Sequence, residues 1–253
     1  MRLYLFSSGY ISCERSVFVV DGGNKRVHVP TPFYLIKHNG KNILFDTGNA
    51  ASYIGKTVNE ERGEAGVVMS GKEWAPNAIE SVGVTREQID IVILSHLHSD
   101  HVGTADQFPN ATIIVRRKEY DYAIRPDYFM TRVYSVFNDM PDLDYYFIKG
   151  DEAFDVFGDG CLVLISTPGH TPGHQSLILQ TQESGIIVLT ADACYTSQNL
   201  DQSLLPSDLV CDRTSYLSQI SRFRLYEKTG AMIITGHDAD GWETYRHAPN
   251  FYE

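Results

Sequence analysis

Five short apolar runs punctuate the chain, and each leads into an aspartate or a histidine. Ile43-Leu-Phe closes on Asp46, and Ile89-Asp-Ile-Val-Ile-Leu-Ser95 closes on His96. Cys161-Leu-Val-Leu-Ile-Ser-Thr167 runs into Pro-Gly-His170, Ile186-Ile-Val-Leu-Thr190 into Asp192, and Ala231-Met-Ile-Ile-Thr235 into Gly-His237. Short aliphatic and β-branched runs bounded by turn residues predict buried strands. Between them, Thr85-Arg-Glu-Gln88 has capping-box spacing, and Arg116 to Ile124 is a candidate amphipathic helix. Asp212 to Thr229 places Tyr216, Ile220, Phe223 and Tyr226 at helical spacing, and Gly230 stands where a helix-ending glycine belongs. Strands alternating with helices predict an α/β fold. In such folds the loops leaving strand C-termini converge on the active site, so five strand-end His or Asp residues point to one shared site. Asn49 to Trp74 is a polar segment punctuated by Gly55, Gly63, Gly66 and Gly71, without clear periodicity. Loops of that length are usually functional or form interfaces.

Composition narrows the partners. The 253 residues are 43% hydrophobic and 21% charged, ordinary globular usage for a chain able to bury a core without staples. No repeat or linker divides it, so residues 1–253 are read as a single domain. Lys and Arg total 21 against 32 Asp and Glu, a formal charge of −11, which opposes nucleic acid and anionic membrane as partners. The four cysteines (Cys13, Cys161, Cys194, Cys211) show no Cys-x-x-Cys spacing and are expected to be buried free thiols. No membrane-length apolar stretch and no signal-peptide pattern is present, which leads us to expect a cytoplasmic protein.

Ser95-His96-Leu97-His98-Ser99-Asp100-His101 carries three histidines and an aspartate just after a strand. Imidazole nitrogens and a carboxylate suit zinc, with iron or manganese as alternatives. His96 and His98 can clamp one ion while Asp100 and His101 reach a second. Neither pair fills a four-coordinate shell, so His170, Asp192 and His237 at other strand ends become candidates. One carboxylate offers two oxygens, so Asp192 can bridge ions that two-metal sites hold roughly 3.5–4 Å apart.

His96-x-His98-x-Asp100-His101 followed by His170, Asp192 and His237 resembles the metallo-β-lactamase superfamily. Thr167-Pro-Gly-His-Thr-Pro-Gly-His-Gln-Ser176, Leu189-Thr-Ala-Asp-Ala-Cys-Tyr-Thr196 and Thr235-Gly-His-Asp238 are similar to its N-acyl-homoserine lactonases and their γ-butyrolactone-hydrolysing relatives. That resemblance implies an αββα four-layer sandwich and two zinc ions per chain. His96, His98 and His170 would hold one ion, Asp100, His101 and His237 the other, with Asp192 between them. It further implies hydrolysis of a five-membered lactone by a metal-activated water. Tyr195 would donate to the oxyanion or the ring oxygen, and Asp100 would serve as ligand and as general acid. Asp46 would orient a loop or a ligand histidine, His174 would be structural, and Cys194 would pack. His28, His38 and His247 are expected at the surface. Ser99 stands where many of these lactonases carry a bulky apolar residue, which implies a smaller and more polar pocket wall. The Asn49–Trp74 insertion implies a homodimer. A glyoxalase-II-like thioesterase shares the histidine motif but would need basic residues for its substrate's carboxylates, which the sequence does not locate.

Overall fold

The computed structural model describes residues 1–140, 142–200, 204–206 and 209–253. One mixed sheet contains β1 (Arg2–Glu14), β2 (Arg26–His38), β3 (Lys41–Phe45), β4 (Gly66–Val68), β5 (Ile91–Ile93), β6 (Thr112–Arg116) and β7 (Tyr145–Ile148), in the order β4-β1-β2-β3-β5-β6-β7. A second contains β8 (Phe154–Asp155), β9 (Leu162–Ser166), β10 (Gln175–Gln180), β11 (Ile186–Ala191) and β12 (Met232–Thr235), in the order β12-β11-β10-β9-β8. β1, β2 and β3 form an antiparallel meander, whereas β3, β5, β6 and β7 run parallel. The His38–Lys41 connection is a two-residue turn with Asn39 and Gly40 at φ 49° and 74°, the positive values that match strand twist in a tight hairpin.

Alternation along the strands explains the layering. Leu3 and Leu5 on β1 point between the sheets, against a core that includes Leu162, Leu164, Leu177 and Leu189. Tyr4 and Phe6, one residue out of phase, face the opposite core with Leu44, Val92 and Leu97. Both faces of each sheet are therefore buried, so helices must cover the outsides. Helix Arg213–Lys228 lays Tyr216, Ile220 and Phe223 on the second sheet. Helix Arg117–Ile124 and the segment from Met130 to Phe137 cover the first. This is the expected αββα sandwich. Among the described residues no helix is long and apolar enough to cross a membrane.

Asp212 caps the long helix by accepting from the Thr214 and Ser215 amides, and Gly230 follows it at φ +90°. The Thr85 capping box forms, but it closes a single 3₁₀ turn, Arg86–Gln88. The Ile89–Ser95 run yields only the strand Ile91–Ile93. Asp90 is diverted to bond Lys41 and the Asn42 amide, and Ser95 turns toward Asp46. β2 was hidden by Pro30 and Pro32, residues that ordinarily argue against an inner strand. They are tolerated opposite the register shift between Ser7 and Tyr10 on β1, where Gly9 has φ +72°. The Asn49–Trp74 segment folds back on its own sheet: β4 pairs with Tyr10–Ser12, and 3₁₀ turns occupy Ala51–Tyr53 and Glu60–Arg62.

Candidate metal centre

β3, β5, β9, β11 and β12 end at one edge of the sandwich, and the residues that follow them converge. His96, His98, His170 and Asp192 form one donor group, and Asp100, His101 and His237 form another. Within the first, His170 Nε2 lies 3.1 Å from His96 Nε2 and 3.0 Å from His98 Nδ1. Asp192 joins the two. Its Oδ2 faces His170 Nε2 at 3.4 Å and His96 Nε2 at 3.8 Å, while its Oδ1 faces His101 Nε2 and His237 Nε2, each at 3.3 Å. Asp100 Oδ2 completes the second group, 3.5 Å from His237 Nε2 and 3.7 Å from His101 Nε2.

Groups behind the imidazoles fix their orientation. His101 Nδ1 pairs with Asp46 Oδ2 at 2.8 Å, His237 Nδ1 donates to the Pro30 carbonyl at 2.7 Å, and His170 Nδ1 donates to the Leu209 carbonyl at 2.5 Å. Each such bond directs the Nε2 lone pair inward. Asp46, at φ +59°, also accepts from the Ser95 amide and hydroxyl and so holds the start of the His96 loop.

The electrostatics match a cation at the centre. Burial, then the neighbouring imidazoles, keeps His96 and His98 well below the ordinary histidine pKa, so both are neutral. Burial also opposes protonation of His101 and His237, but Asp192 and Asp100 outweigh it and raise both. Asp192, whose burial disfavours charge, is held well below the usual carboxylate range by His101 and His237. Neutral nitrogens with converging lone pairs about 3 Å apart repel unless a cation lies between them. Among the described residues, the buried His101 Nε2 and Asp192 Oδ1 face each other at 3.3 Å without the geometry of a hydrogen bond. The donor set therefore fits divalent metal.

Glu119 was not singled out as a site residue, yet it braces the centre. Fully buried, it accepts from the Leu97 amide at 3.1 Å, the Tyr134 hydroxyl at 2.9 Å and the Thr171 hydroxyl at 2.6 Å. Leu97 separates His96 from His98, and Thr171 follows His170, so one carboxylate ties two ligand loops together. A Cβ on Gly173 would stand 2.1 Å from the Glu119 amide nitrogen, which explains the glycine there.

The centre opens into a cavity of about 640 Å³, within the usual range for small-molecule sites. Asp100, Asp192, His237 and Tyr195 line its floor, and Ile11, Phe18, Val67, Phe129 and Leu209 supply apolar walls. Tyr195 Oη lies 2.9 Å from His170 Nδ1, and its ring stands edge-on to Phe18. Ser99 borders the cavity, but its hydroxyl is committed: it donates to the Val133 carbonyl and accepts from the Val136 amide, tethering the 128–138 segment over the site. His174 is buried with Nδ1 on the Thr167 hydroxyl, and Cys194 is buried in the core under the long helix, whereas Cys161 and Cys211 depart from the expected burial and are partly exposed. His28 is half exposed beside Glu60. His38 differs from its expected place: only 11% of its side chain is exposed, against Asp159. His247 likewise packs on the Trp242 ring.

The family model for the metallo-beta-lactamase superfamily matches residues 27–237. The chain is 35% identical to the N-acyl homoserine lactonase AttM of Azorhizobium caulinodans, over 100% of this chain and 99% of the relative. It is 32% identical to the N-acyl homoserine lactonase AiiA of Bacillus thuringiensis subsp. kurstaki, over 99% and 98% of the two chains. A solved structure of an N-acyl homoserine lactone hydrolase, with the product N-hexanoyl-L-homoserine at its catalytic metal center, superposes with a TM-score of 0.84. Identity there is 30%, and 99% of this chain and 98% of the other are covered. Fold, donor geometry and kinship agree: the chain belongs to the metallo-beta-lactamase superfamily.

Proposed function

We propose that the protein is a metal-dependent hydrolase that opens the lactone ring of N-acyl homoserine lactones, a quorum-quenching activity. The observation that carries this reading is Asp192, whose two oxygens face two separate donor groups on the floor of an apolar cavity. His96, His98 and His170 with one Asp192 oxygen would hold one ion, and Asp100, His101 and His237 with the other oxygen would hold a second. The nitrogen-rich set favours zinc, and two ions per chain. When bound, such ions supply an acidified water and a Lewis acid.

The chain's own groups do the rest. The apolar walls receive the acyl chain, which brings the ring carbonyl to the floor. Tyr195 remains a phenol, because burial and then the Asp192 charge raise its pKa well above the ordinary value. With His170 Nδ1 committed to the Leu209 carbonyl, the Tyr195 proton is free to stabilise the carbonyl oxygen or the ring oxygen as charge develops. Water adds to the carbonyl carbon, the ring C–O bond breaks, and a proton reaches the departing alkoxide. Asp100, on the cavity floor with its side chain 21% exposed, would take the attacking water's proton and return it to the alkoxide. The products are a carboxylate and a free hydroxyl on one open chain.

The partner is thus a small lactone, and the charge of −11 opposes nucleic acid and anionic membrane. Four free thiols suit a reducing, cytoplasmic setting. We propose a homodimer built with the Asn49–Trp74 segment. Sedimentation at micromolar concentration showing a monomer would remove the dimer alone. The function is tested by following acid release from N-hexanoyl homoserine lactone with chelated and reconstituted protein. Chelation should abolish hydrolysis, and zinc or cobalt should restore it as the second equivalent binds. Full activity with one ion, or with none, would contradict the paired site. Asp192→Asn should lose more metal than His174→Ala.

A further inference from the structure

At the opposite end of the sandwich, His38, Asp159 and Cys161 bring an imidazole nitrogen, a carboxylate oxygen and a thiol sulfur within 4.8 Å of one another. β2 rises about 3.3 Å per residue, so His38 lies roughly 26 Å along the strand from Pro30, whose carbonyl holds His237. Cys161 likewise precedes β9, whose far end leads to His170. The cluster is therefore separate from the candidate metal centre.

Its parts are held in place. The tight Asn39-Gly40 turn fixes His38, whose ring is covered edge-on by Phe157 at 5.2 Å. Asp155 accepts the amides of Phe157, Gly158 and Gly160 and so shapes the turn that presents Asp159. Asp159 Oδ1 accepts the Cys161 amide at 2.9 Å, while Oδ2 meets His38 Nε2 at 2.7 Å and the Asn39 side-chain amide at 3.0 Å. Hydrogen bonds from His38 and the Cys161 amide hold the Asp159 carboxyl down to about 2, so it is ionised throughout the neutral range. The Cys161 thiol makes a long, 3.8 Å contact to the Asp159 carbonyl.

We propose that His38, Asp159 and Cys161 form a separate binding site for one thiophilic divalent cation of the zinc class. Sulfur, nitrogen and carboxylate donors select zinc-like ions over magnesium or calcium, and three protein ligands leave a fourth position for water. Nitrogen and oxygen ligands about 2.0–2.2 Å from an ion sit about 3.3–3.5 Å apart in a tetrahedron, so the 2.7 Å His38–Asp159 contact opens by about 0.7 Å on binding. The thiol proton leaves to solvent as the sulfur–metal bond forms. Because His38 belongs to the first sheet and the Asp159–Cys161 turn to the second, the ion staples the two sheets together.

The test uses the full chain loaded with increasing cobalt. Every ligand candidate at the catalytic end is a nitrogen or an oxygen, so thiolate-to-cobalt charge-transfer absorption in the near ultraviolet arises only where sulfur binds. We expect that band to grow with the third equivalent and saturate, to vanish in Cys161→Ser, and to persist in Cys13→Ser, whose cysteine borders the catalytic cavity. Melting temperature should rise with the third equivalent in the wild type and not in Cys161→Ser, with lactone hydrolysis unchanged in both. No thiolate band in excess cobalt, or a band that survives in Cys161→Ser, would overturn the proposal. Neither outcome depends on which ester the catalytic end hydrolyses.

Discussion

Tyr195 meets the cavity as a protonated phenol beside His170, and the proposed mechanism uses that proton. Tyr195→Phe should lower turnover on every lactone by about 10²-fold, the usual loss of one oxyanion donor. Elemental analysis of the same variant should show metal content unchanged, and a matching loss of metal would make the residue structural. The strand-end donors were legible in the sequence because Asp46, His96, Asp192 and His237 each closely follow an apolar run, and the chemistry of their side chains narrows what they can do. Glu119 was not legible in that way. It is one acidic residue in the first turn of a helix, and only the packing of Leu97, Tyr134 and Thr171 around it reveals a brace. From sequence His38 reads as a surface residue, because its partner, Asp159, is remote along the chain.

At the scale of elements, the ligand loops depend on close approach between backbones. Gly173→Ala would push a Cβ into the Glu119 amide at 2.1 Å, so helix Arg117–Ile124 and the His170 loop must separate. Overpacking of this kind costs roughly 1–3 kcal/mol, and it should appear as weaker metal retention together with a lower melting temperature. Unchanged metal affinity in a folded Gly173→Ala chain would refute the bracing role. Asp212→Ala removes a helix cap rather than a brace. Losing the bonds to the Thr214 and Ser215 amides should appear as a small drop in melting temperature. Strands with one clear apolar run were readable in advance. β1 and β2, buried on both faces and interrupted by Pro30, Pro32 and Gly9, were not, because the signal that places them is their mutual pairing. The Asn49–Trp74 segment, expected from its length to be functional or to form an interface, supplies Tyr53 and Val67 to the cavity wall.

Across the whole molecule, the carboxylates of Asp159, Asp90, Glu60 and Asp212 all sit below their ordinary pKa in the folded state. For Asp159 the folded value is about 2, against about 3.9 unfolded. A depressed carboxyl stabilises the fold above the unfolded value and loses that contribution as pH falls through the folded one. Denaturation midpoints should therefore fall between about pH 4 and pH 2, and the fall should be shallower in Asp159→Asn. Identical slopes in the two chains would contradict the pairing with His38. The αββα layering itself brings the five strand ends to one edge and leaves a cavity that an acyl chain can fill. Each methylene buried there contributes up to about 0.8 kcal/mol, binding that an unsubstituted ring cannot supply. The most direct measurement is kcat/KM of the zinc-loaded protein on N-hexanoyl homoserine lactone, γ-butyrolactone and a glutathione thioester under one set of conditions. The account predicts the acylated lactone to be fastest, with γ-butyrolactone poor and the thioester poorer still. Equal rates on γ-butyrolactone would move the assignment to a simple lactone hydrolase, and preference for the thioester over every lactone would contradict it.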